Sequence, residues 1–155
     1  MKTECNTRQL GFQGAGRRGM VGKFDGGTIT SDAGGLLLRE VDDRLGISKR
    51  CAKCFADYRN EKSIEHEVEA LVRQRIYGLA LGYEDLNDHD DLRSDPLLAV
   101  LCEKKDATGS KRKNPRDRGK ALAGKSTLNR MELTEEEADK KNRYKKNQVQ
   151  CRKGR

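Results

Sequence analysis

Residues 63 to 81 read SIEHEVEALVRQRIYGLAL, with Ile64, Val68, Leu71, Val72, Ile76 and Leu79 at spacings of three and four, the period of one helix face. Glu65, Glu69 and Arg73 line the opposite face, and Gly82 stands where such a helix ends. Downstream, the polar turn YEDLNDHDDLRS (83 to 94) leads to Asp95 and Pro96, read as N-cap and first residue of a helix through LLAVLC. Upstream, Ser31 is a good N-cap for a helix with Leu37, Leu38, Val41 and Leu45 on its buried face and Gly46 closing it. Gly34 and Gly35 weaken its start. Ser48 caps a second, shorter helix through Phe55, and Phe24 to Thr30 forms one short strand with a turn at Gly26 and Gly27.

These elements predict a mainly α chain with a small helical domain over 24–102. Before it lies a flexible basic arm, 1–23. After it come a basic disordered linker, 103–120, a junction helix, 121–146, and a tail, 147–155. Hydrophobic residues are 34% of the 155 and charged residues 37%, with mean hydropathy -0.96. A core shared evenly by the whole chain is therefore excluded. Charge divides at the same boundary. Residues 1–102 carry 15 Lys plus Arg against 17 Asp plus Glu, whereas 103–155 carry 18 against 8. A polyanion is the natural partner for such a segment, because each cation placed on a phosphate releases condensed counterions.

The five cysteines, Cys5, Cys51, Cys54, Cys102 and Cys151, are odd in number and follow no secretory signal, which predicts reduced thiols in a cytoplasmic protein. No apolar run reaches the roughly 18 residues of a membrane span. Gly119 to Ser126, GKALAGKS, satisfies the P-loop pattern, but KRKNPRDR before it is no buried strand. Cys51 and Cys54 read as half-buried thiols on adjacent helical turns, since two further zinc ligands at compatible spacing are lacking. The run Asp85, Asp88, Asp90, Asp91 and Asp95 lacks the glycine and terminal glutamate of a calcium loop, and Asp85 and Asp95 serve as caps. His66 and His89 have no nucleophile arranged with them. No catalytic residue and no metal ligand is assigned.

Together TSDAGGLLLREVDDRLGI (30 to 47), SIEHEVEALVRQRIYGLALGYEDLNDHDDLRSDPLLAVL (63 to 101) and LAGKSTLNRMEL (122 to 133) resemble the N-terminal region of bacterial insertion-sequence transposases with the group 1 DDE domain. The resemblance implies a DNA cut-and-paste enzyme with an RNase H-like core, in which three carboxylates hold two magnesium-type ions for in-line phosphoryl transfer. It also implies DNA, the insertion-sequence ends, as partner, homo-oligomers in the full-length family and no nucleotide role for LAGKSTLNR. The family's first aspartate lies on a core strand shortly after the stretch matching Arg143 to Lys146; here NQVQCRKGR follows instead.

The expectation is thus an N-terminal fragment without the catalytic core, its tail out of frame, that binds DNA without cutting it. Phosphate contacts are expected from Arg17, Arg18, Lys111, Arg112, Lys113, Arg116, Arg118, Lys120, Lys125 and Arg130. An inactive remnant with no autonomous function and a P-loop nucleotide-binding module stay open as alternatives.

Overall fold

The computed structural model describes residues 10–22, 31–135 and 138–147. It is mainly α-helical. Six helices follow in chain order: α1 Gly35–Leu45, α2 Ile47–Ala52, α3 Val68–Ala80, α4 Asp88–Leu92, α5 Pro96–Leu101 and α6 Lys125–Glu132. Four short strands, β1 Leu10–Ala15, β2 Arg18–Gly22, β3 Phe55–Asp57 and β4 Tyr144–Lys146, form two separate antiparallel ribbons, β1–β2 and β3–β4.

Helix α3 is the axis, because it contributes to both apolar clusters. Tyr77 joins Leu36, Leu92, Leu98, Leu101, Ala121 and Leu122 on one side. Leu71 and Val72 join Ala123, Leu128, Met131 and Tyr144 on the other. The stretch Ala121–Leu122–Ala123 therefore crosses from one cluster to the other. Burying its backbone demands partners for its polar groups; Leu122 N donates to Arg93 O at 3.1 Å, and Gln74 on α3 serves Ala123. Its side chain accepts from Ala123 N at 3.0 Å and donates to Ala123 O at 2.8 Å.

Helix ends follow the expected local chemistry where the sequence is unambiguous. Asp95 caps α5, accepting from Leu97 N and Leu98 N at 2.7 and 3.0 Å, with Pro96 at the first position. Gly46 closes α1 in the left-handed region at φ 64°, its N–H on Asp42 O. Gly35 is buried at the start of α1, where a Cβ would overlap Leu101. Gly35, one of the two glycines that weaken this helix start, thus permits its close approach to α5, after one 3-10 turn, Ser31–Gly34.

Elsewhere the structure departs from expectation. Leu37, Val41 and Leu45 of α1 are exposed, and the buried face carries Leu36, Arg39 and Asp42. The second helix stops at Ala52, and Phe55 enters β3 instead. The arm forms a hairpin from Leu10 to Gly22, in which facing Phe12 and Met20 pack on the first cluster. The junction helix is limited to Lys125–Glu132, and the chain returns as β4 to pair Tyr144 with Asp57 and Lys146 with Phe55. The short strand expected at 24–30 and the tail beyond 147 lie outside the described residues.

Residues 103–120, read as a linker from their composition, carry polar contacts that composition does not register. Asp106 accepts from Thr108 N, Lys111 N and the hydroxyls of Thr108 and Ser110. Gly119 N donates to Gly109 O at 3.2 Å, closing the loop on itself. Lys113 Nζ and Arg112 then tie it to Lys62 O and Glu65.

Candidate nucleic-acid interface

The charged surface rests on a buried polar network. Asp42, 5% exposed, accepts from Ser48 N at 2.8 Å, Ser48 Oγ at 2.5 Å and Tyr77 OH at 2.8 Å. Arg73 reaches Glu69, Asp43 and Glu103 at 3.2, 3.5 and 2.9 Å. Arg39 meets Asp43 and Glu103 at 3.3 and 3.5 Å and donates to Gln13 O and Gly14 O of the hairpin. Charges on α1, α3 and the segment after α5 are thus compensated internally, the condition for burying them at all.

A second cluster surrounds His66, which is 7% exposed. Its Nδ1 lies 3.1 Å from Lys104 Nζ and its Nε2 2.5 Å from an Arg112 nitrogen. Burial first, then the charges of Lys104 and Arg112, hold its pKa down at about 2. Burial likewise lowers His89, which is fully enclosed against Gln74 at 3.2 Å.

The sign for stability follows directly. A histidine depressed in the folded state is protonated first in the unfolded chain, so its contribution is complete above the unfolded value near 6.5 and falls as pH drops below it. For His66 the loss reaches about 2 kcal/mol at pH 5. Urea midpoints should therefore fall from pH 7 to pH 5, and His66→Gln should fall less steeply; equal slopes for the two proteins would refute the assignment.

The sequence-assigned cations separate into two groups. Arg112 is held by Glu65 at 3.0 Å and by His66. Lys113 donates to Lys62 O, and Arg18 to Lys104 O and Lys105 O. Lys125 pairs with Asp90 at 3.6 Å and donates to Asn87. Arg17, Lys111, Arg116, Arg118 and Arg130 are exposed, and Lys120 half-exposed, with no side-chain hydrogen bond or ion pair among the described residues. Lys105, exposed directly after α5, stands outside the sequence-assigned set.

The P-loop reading fails on geometry. In GKALAGKS, Ala121, Leu122 and Ala123 are core residues, and Lys125 N already donates to Asp90 Oδ1 at 3.0 Å. A carboxylate sits where a phosphate would have to lie. Cys51 is exposed at the end of α2 and Cys54 half-buried before β3. Burial pushes the Cys102 thiol up to about 12.

Asp85 accepts from Asn87, Asp95 caps α5, and Asp90 serves α6 and Lys125. Among the described residues no group of three or more His, Cys, Asp or Glu could hold a metal ion. The described acids thus do not gather into a magnesium site of the kind the resemblance implies. No described helix is long and apolar enough to cross a membrane.

Comparison with known proteins adds one finding: the sequence model of the family described as transposase DDE domain, group 1, matches residues 12–152. No curated protein and no solved structure matches the chain.

Proposed function

Because this chain belongs to the transposase DDE domain group 1 family, we propose that it binds DNA in transposition, making phosphate contacts and performing no cleavage or strand transfer through its described residues. The observation that carries this reading is that, of the cations assigned from the sequence, Arg17, Lys111, Arg116, Arg118 and Arg130 are exposed with no side-chain hydrogen bond or ion pair among the described residues. Such groups position a duplex and do not by themselves read its sequence. Arg112, Lys113 and Lys125 have a different role: their charges hold the loop and the start of α6 in place.

The non-catalytic half of the proposal is supported by where the acids lie. A two-metal site requires convergent carboxylates, whereas Asp85, Asp90 and Asp95 serve separate helix starts and turns.

Fluorescence anisotropy with a labelled duplex at several salt concentrations tests the binding. A linear fall of log K against log salt is expected, with a slope of about -0.9 per contacted phosphate and so about -4.5 if all five exposed cations engage. A flat plot overturns it. Incubation with magnesium and the same duplex should leave the strands intact, and nicked product would refute the non-catalytic half.

A further inference from the structure

One cleft stands apart from the charged loop. It has a volume of about 790 Å³ and lies between the turn of the β1–β2 hairpin, with Gly16, Arg17 and Arg18, and the segment Glu103–Lys105 that leaves α5. The turn exists because Gly16 adopts φ 62°. The opposite wall is a helix stop of the Schellman type, with Lys104 N on Ala99 O and Glu103 N on Val100 O, both at 2.9 Å.

That stop places Glu103 at φ 56°, a position normally taken by glycine. The left-handed backbone is strained for a glutamate, and its carboxylate is tied down by two guanidiniums. Glu103 Oε1 meets Arg73 at 2.9 Å and Arg39 at 3.5 Å, and Arg39 donates to Gln13 O and Gly14 O, just before the hairpin turn. One carboxylate thereby couples both walls. Arg18 spans them as well, donating to Lys104 O and Lys105 O.

The consequence is electrostatic. Glu103 is the cleft's only acid among the described residues, and it is paired with buried guanidiniums. Lys104 turns its ammonium away, onto Glu65 O and His66. The exposed side chains of Arg17 and Lys105 remain, one on each wall, with the Arg18 guanidinium bridging between. Two cations across a concave, preorganised cleft suit a chain of phosphates better than a neutral or apolar ligand.

We propose that this cleft seats a phosphodiester backbone of the bound DNA, with Arg17 and Lys105 on phosphate oxygens from opposite sides. The proposal rests on the DNA-binding reading above and adds to it a specific seat. The test compares Arg17→Ala/Lys105→Ala with a charge-matched pair on α2, Lys49→Ala/Arg50→Ala, in the full chain with a labelled duplex. Thermal melts confirm that both pairs fold.

The cleft pair should lose about tenfold or more in affinity, and its salt slope should become shallower by about 1.8. The α2 pair should leave both nearly unchanged. Equal losses from the two pairs, or an unchanged cleft pair beside a steeply salt-dependent parent, would overturn the seat and leave DNA binding standing. A parent with no salt dependence would overturn the DNA reading itself.

Discussion

Asp42→Ala is expected to destabilise the fold by about 3–5 kcal/mol and to lower the melting temperature by on the order of 10 °C. The carboxylate is buried and takes hydrogen bonds from Ser48 N, Ser48 Oγ and Tyr77 OH, with Arg73 Nε 3.7 Å away. Alanine removes the acceptor for three buried donors and leaves a guanidinium that is 8% exposed with one counter-charge fewer. Ser48 on α2 and Tyr77 on α3 would lose their common partner on α1 together, so the damage reaches three helices. Asp42→Asn keeps the shape and one acceptor oxygen, and it should fall between alanine and the parent. Chemical denaturation at pH 7 measures the series; a midpoint for Asp42→Ala within error of the parent would refute the network's role.

The same residue carries a pH dependence. Burial alone would raise the Asp42 carboxyl, but the hydrogen bonds from Ser48 and Tyr77, with the Arg73 charge, outweigh it and hold the carboxyl below its ordinary value. A depressed carboxylate contributes stability above its unfolded pKa and loses it as pH falls through the lower folded value. This sets in at lower pH than the His66 contribution and adds to it, so the acid profile should steepen once pH falls below the unfolded carboxyl value.

Why α1 was misread follows from this network. Leu37, Val41 and Leu45 form a proper apolar stripe, and periodicity assigned it to the core. The helix instead buries Arg39 and Asp42, because their partners on α3, on α2 and after α5 compensate them. Those partners are distant in sequence, and no local pattern could identify them. On α3 the same periodicity points to Leu71 and Val72, which are buried, and to Leu79, which is exposed, while Arg73, Gln74 and Tyr77 are buried outside it. By contrast, the Asp95–Pro96 cap and the Gly46 stop depend only on neighbouring residues, and both were legible.

The candidate interface divides along the same line. Arg116, Arg118 and Lys111 were identified by charge, and their exposure agrees with a solvent-facing role. Charge could not show that Arg112 is held by Glu65 and His66, or that Lys105 lies across a cleft from Arg17. Both facts depend on contacts spanning dozens of residues. The hairpin left only a faint trace, Phe12 and Met20 on either side of Gly16, because glycine-rich strands carry little periodic signal.

Gly109→Ala should destabilise by about 2–4 kcal/mol, the sum of a left-handed backbone penalty and overpacking. Gly109 sits at φ 66°, and a Cβ there would meet Lys120 C and Ala121 N at 2.6 Å and Lys120 N at 2.7 Å. These are backbone atoms leading directly into the buried Ala121–Leu122–Ala123 stretch, so they cannot yield without disturbing both apolar clusters. Gly119 provides the contrast: its φ is 81°, but no atom lies within 4 Å of a Cβ there. Gly119→Ala should therefore carry only the backbone penalty of about 1–2 kcal/mol. Equal melting temperatures for the two variants would refute a packing contribution at Gly109. If the loop presents Lys111, Arg116 and Arg118 to DNA, the effect extends further. Gly109→Ala should weaken duplex affinity although no charge has changed, because the cations must then be ordered at the moment of binding.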